Sequence, residues 1–173
     1  MAEIKLNSIG VLKQDIKFLD WWKSEEISVP YFENQKIQFV IEKKLDEDNA
    51  IFDNVISNFL KLNEKDKLKI SKYAYESYKD FVNIVGEDEF NFVLNKQEDI
   101  RKYIHPYKIY ITKRRKDGLV YLSINTNCDW EEEHGLQIVY KNGNEIVRVG
   151  PIDGHLLCID AYGDLSRENK ICG

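Results

Sequence analysis

The chain has 173 residues, 43% hydrophobic and 32% charged, which is enough apolar material for a core and too much for a disordered segment. The 30 acidic and 25 basic residues leave a net charge of −5, which argues against non-specific nucleic-acid binding, since that needs a phosphate-neutralising surface. No apolar run approaches the roughly 18 residues of a membrane helix, no leader-like opening is present, and Cys128, Cys158 and Cys172 do not space as a disulfide framework.

A single α+β domain over 1–173, with the cytoplasm as default compartment, is therefore expected. Its elements fall in three blocks: N-terminal β-strands, a central pair of helices plus a short third helix, and a C-terminal four-stranded antiparallel meander. In the first block Ile27, Val29 and Tyr31 alternate with polar positions, as do Ile37, Phe39 and Ile41 after the turn Glu33-Asn34-Gln35. Pro30 puts the first of these strands at an edge or beside a bulge. Asp20-Trp21-Trp22 reads as part of an earlier strand. Asp46 or Asp48 can cap a helix with the stripe Ile51, Phe52, Val55, Ile56, Phe59, Leu60. Asn63 can cap a second, whose face is Leu68, Ala74, Tyr75, Tyr78, Phe81, Val82 and Val85 and which Gly86 ends. The short helix runs from Glu98 to Ile104 and stops before His105-Pro106.

In the last block Tyr107, Ile109 and Ile111 alternate, then Val120, Leu122 and Ile124. Lys113-Arg114-Arg115-Lys116 reads as a charged hairpin tip. Asn142-Gly143 marks a two-residue type I′ turn, which pairs Lys141 with Asn144, Ile138 with Val147 and Leu136 with Val149, the last two pairs facing the core.

Carried back from Leu136 without a bulge, that register turns Trp130, Glu132 and His134 inward and Asp129, Glu131 and Glu133 outward. Burial would then raise the Glu132 pKa and lower that of His134. A second dense segment follows, with Arg148, Gly150-Pro151 and then Asp153-Gly154-His155, whose turn dipeptides take the chain off the sheet. Pro151 falls opposite His134 in this register, which brings Asp153 and His155 near the acidic run. The plain alternative is a solvated acidic turn, with Asp153 closing a second turn over His155. Cys128 and Cys158 lack a partnered His, and Tyr73, Tyr75 and Tyr78 lack the interleaved basic residues of a stacking platform.

These residues, Cys128-Asp129-Trp130-Glu131-Glu132-Glu133-His134-Gly135-Leu136-Gln137, then Asn142-Gly143, Arg148-Val149-Gly150-Pro151 and Asp153-Gly154-His155, together with Ser28-Val29-Pro30-Tyr31-Phe32, resemble the bacterial domain-of-unknown-function 6985 family. The resemblance implies an α+β domain and supplies no activity, cofactor or catalytic residue.

The leading expectation is a non-enzymatic protein-binding role, immunity-type by analogy with other small acidic bacterial domains, through the surface of Asp129, Trp130, Glu131, Glu132, Glu133, His134, Arg148, Asp153 and His155. The alternative is a divalent-metal module or metal-dependent enzyme built on Glu131, Glu133, His134 and His155. No nucleophile or phosphate-cradling loop accompanies them, so the sequence leaves enzymatic activity open, along with cofactor, partner identity and oligomeric state.

Overall fold

The computed structural model describes residues 2–86 and 93–171. Eight strands form one sheet in sequential order: β1 (Glu3–Leu6), β2 (Gly10–Gln14), β3 (Trp21–Val29), β4 (Gln35–Glu42), β5 (Ile104–Lys113), β6 (Val120–Cys128), β7 (Glu131–Lys141) and β8 (Glu145–Gly150). Each neighbour is antiparallel except β4 and β5, which run parallel at the centre. Two meanders thus share one sheet, joined by a helical crossover, as a parallel neighbour requires. The expected α+β architecture is the one observed.

Trp21 and Trp22 open β3 itself and do not belong to an earlier strand. The strand bulges between Lys23 and Glu26, and Pro30 lies past its end, at the start of the 3₁₀ turn Pro30–Phe32 that buries Tyr31. The crossover carries α1 (Asn49–Leu60) and α2 (Glu64–Val85), then the 3₁₀ helix Gln97–Tyr103. Asp48 caps α1 by accepting the Ala50 N–H, and Asn63 and Asp66 form a capping box on α2. Phe52, Val55, Ile56 and Phe59 face the sheet as their spacing requires, with Ile70, Ala74 and Val82 of α2. Ile51, Leu68 and Val85 lie outside the buried stripe and are exposed.

The core lies between these helices and one sheet face, where Trp22, Phe39, Ile41, Ile109, Leu122, Ile138 and Val149 are buried. Tyr31 and Tyr140 share a buried hydroxyl hydrogen bond of 2.7 Å within it. The opposite face of β6–β8 is closed by the C-terminal segment, which contains the short helix α3 (Cys158–Tyr162) and returns Ile171 to the β8 edge through the Val149 N–H. Strands β6–β8 are therefore buried on both sides, and Gln137, Val139 and Arg148 are as enclosed as the core residues.

The Asn142-Gly143 turn forms with both residues at positive φ, but its register differs from the expected one. Lys141 pairs with Glu145, Tyr140 with Ile146, and a bulge then moves Val139 onto Arg148 and Ile138 onto Val149. The turn shifts the register by one residue and the bulge by one more, so the same face of β8 returns to the core with Val149 in place of Val147. Gly143 has a second constraint, because α1 packs on the turn and a Cβ would collide with the Val55 carbonyl.

Candidate functional site

The acidic segment departs from the expected ladder. Thr126 pairs with Leu136 and Cys128 with Glu131; between them β6 places Asn127, and β7 places Glu132, Glu133, His134 and Gly135. The surplus on β7 leaves the sheet as a wide bulge. Gly135 makes this possible, since its φ is +65° and a Cβ would collide with the Thr126 carbonyl.

This bulge corrects the inward placement of Glu132 and His134. Both are exposed, His134 with 62% of its side chain, and neither is buried as expected. Trp130 is buried as expected, 3% exposed, and meets Tyr78 of α2 edge-on at 6.1 Å. Nor do Asp129, Glu131 and Glu133 share one outward face in the expected way. Asp129 turns to His105, 2.7 Å from Nε2, a pairing that no local pattern announced because it crosses from β5. Glu131 folds back, and its carboxylate accepts the N–H groups of Glu133 and His134 at 3.1 Å. Its first role is to cap the bulge.

Ligand atoms of Glu131, Glu133 and His134 nevertheless lie within 4.8 Å of one another. Two carboxylates and an imidazole offer hard oxygen and nitrogen donors to a divalent ion. His155 is not in that group. Pro151 does reach the same groove as His134, but the chain then turns, and His155 lies beside Arg114, Lys116 and Asp160.

Arg148 is the reason. Its guanidinium is 0% exposed and is enclosed by the loop that follows it. It donates to Gln137 at 2.6 Å, to both Asp153 oxygens at 2.8 and 2.7 Å, and to the His155 carbonyl at 2.8 Å. Burial pushes the Asp153 carboxyl up, but the His155 N–H and Arg148 outweigh that and hold it below the usual carboxylate range. Arg148, Asp153 and the Gly150–His155 backbone form a clasp in which both terminal guanidinium nitrogens are engaged, and only the buried Nε–H is left without a hydrogen-bond partner among the described residues. The turn-closing alternative for Asp153 holds, whereas His155 is exposed, with its side chain beside the Asp153 carboxylate and only its carbonyl turned to Arg148.

A family model described as Domain of unknown function (DUF6985) matches residues 8–156, which include both segments. The chain belongs to the DUF6985 family. No curated protein and no solved structure matches it. In this DUF6985 chain neither described thiol is poised as a nucleophile: burial pushes Cys128 up to about 12 and raises Cys158. Cys172 lies outside the described residues. Among the described residues no helix is long and apolar enough to cross a membrane.

The bulge overlooks an open groove against the last turns of α2. Trp130, Phe81, Ile84 and Pro151 give it an apolar floor, and Asp80, Glu131 and His134 line its sides. Ile84 is 81% exposed there. No lysine or arginine is among the described residues lining it.

Proposed function

We propose that the chain is a binding protein whose acidic-rimmed groove between α2 and the β7 bulge takes a basic segment of a protein partner. One observation carries this reading: Ile84 stands exposed beside Trp130 in a groove lined by Asp80 and Glu131 and, among the described residues, by no lysine or arginine. Apolar side chains anchor interfaces, whereas surrounding charge steers encounter and selects the partner's sign. An immunity-type role is one form of such binding. Capture from the native host with the wild-type chain and with the triple variant Asp80→Asn/Glu132→Gln/Glu133→Gln, which neutralises the α2 carboxylate of the groove and the exposed carboxylates of the bulge, tests the reading. A partner with a basic segment, held by the wild type and lost from the variant, is expected. Equal recovery by both forms would count against the acidic face.

The proximity of Glu131, Glu133 and His134 favours a second reading, a divalent-ion site. Thermal shift against manganese, zinc and calcium separates the two, because an ion bound to the folded form raises apparent stability by about 2.7 kcal/mol at a hundredfold excess over Kd. A stabilisation abolished in His134→Ala would establish the ion site.

A further inference from the structure

The centre of the sheet holds a second crevice of opposite sign. The carboxyl ends of the parallel strands β4 and β5 lie side by side, with Glu42 and Thr112 as their last paired residues. Beyond them the chain diverges. β4 leads into α1 on the helical face, whereas the hairpin after β5 is tied through Arg114 to Asp160 of α3 on the other face. Divergence of this kind opens a crevice outside the carboxyl ends of the one parallel pair, the position that ligands take in open parallel α/β sheets.

In a chain of net charge −5, this crevice is lined by Lys43, Lys44, Lys113, Arg114 and Arg115. Asp20, Glu42 and Glu47 also line it, but Glu47 already accepts the Lys44 N–H at 2.7 Å and lies 3.7 Å from Lys113. Arg114 is committed to Asp117 and Asp160. Lys44 and Arg115 are exposed and form no ion pair among the described residues.

Lys43 decides the argument. It is 2% exposed, its ammonium lies 5.6 Å from the centroid of the buried Trp22 ring, and the ammonium's one hydrogen bond among the described residues goes to the Lys44 carbonyl at 2.7 Å. No carboxylate stands within ion-pair distance of it among the described residues. An ammonium carries three donors, and burying it without a counter-charge is unfavourable. Burial accordingly lowers the Lys43 pKa, against the partial offset of Glu47, Asp46 and Asp48. An anion entering the crevice would supply the missing charge to a lysine that the fold already holds in place.

We propose that the crevice at the carboxyl ends of β4 and β5 binds the phosphoryl group of a small ligand, held by Lys43, Lys44 and Arg115. Three uncommitted cations suit a group of charge near −2 better than a single carboxylate, and a guanidinium matches phosphate geometry in two-point contact. The site works through side chains and needs no glycine-rich loop.

Calorimetric titration at fixed ionic strength with inorganic phosphate and, separately, pyrophosphate tests this. Saturable one-site binding of at least one probe is expected, and the tighter probe shows whether one phosphoryl group or a diphosphate fills the crevice. Lys44→Ala and Arg115→Ala, both at exposed positions, should each weaken binding about tenfold, and Lys43→Met should weaken it at least as much. Lys65→Ala, an exposed lysine on α2, should leave affinity unchanged. If Lys43→Met fails to fold, the two exposed variants decide the question. Absence of saturation by either probe at about 20 mM, or equal affinity in wild type, Lys44→Ala and Arg115→Ala, would overturn the proposal.

Discussion

The segments 128–135 and 148–155 are alike in sequence, each dense in ionisable residues, glycine and histidine, and the fold uses them in opposite ways. In the first, a glycine at positive φ throws Glu132, Glu133 and His134 out of the ladder into solvent. In the second, one buried guanidinium gathers a carboxylate and a backbone carbonyl from the following loop and leaves it little free hydrogen-bonding capacity. The difference teaches that charge density in a sequence does not mark a site. What separates the segments is whether the charges meet partners within the fold. The clasp is stabilising structure, while the bulge presents side chains whose removal the fold should tolerate.

The sharpest way to break that comparison is at Asp153. Its loss strands the fully buried Arg148 charge, so Asp153→Ala should cost about 3 to 5 kcal/mol in urea denaturation. Arg148→Met should cost less, because the orphaned Asp153 carboxylate, 34% exposed, can still reach water. A loss below about 1 kcal/mol for Asp153→Ala would remove the clasp from the account.

Next come the glycines. Gly143→Ala and Gly135→Ala each place a side chain at positive φ against a backbone carbonyl and should cost about 1 to 3 kcal/mol. Gly143→Ala disturbs the α1 contact, whereas Gly135→Ala should alter amide resonances around the bulge and leave those of α1 unchanged.

The clasp also predicts a pH dependence. The folded pKa of Asp153 lies below its unfolded value, near 3.9, so its stabilisation is complete above that value and is lost as pH falls through the folded one. Wild type should therefore lose stability on acidification below about pH 4 more steeply than Asp153→Asn. Parallel acid profiles would contradict the assigned pairing. The smallest effect belongs to the bulge: Glu132→Gln and Glu133→Gln should each change stability by less than about 0.5 kcal/mol.

Much of the fold was legible because its signals are local. The caps at Asp48 and Asn63, the helix stripe from Phe52 to Phe59 and the alternation of Val120, Leu122 and Ile124 each act within a few residues. Three things were not legible. Bulges at Val147 and Tyr107 insert one residue each and the one ending at Gly135 inserts three, all without changing composition, so a period-two extrapolation through any of them inverts faces. The parallel pairing of β4 with β5 joins residues about seventy positions apart and leaves no local trace, and with it the crevice around Lys43 was hidden. Last, the burial of β6–β8 on both faces depends on where the C-terminal segment lies, which turn residues alone do not fix.

The central claim is that the groove beside the bulge binds and the clasp supports. It is tested most directly by the affinity of the captured partner for three chains, at temperatures matched to their stabilities: wild type, Asp80→Asn/Glu132→Gln/Glu133→Gln, and Asp153→Asn. The account predicts that the acidic triple variant binds at least about tenfold more weakly with an unchanged melting temperature, while Asp153→Asn melts earlier and binds as wild type does. Equal affinity of the triple variant and wild type would contradict it.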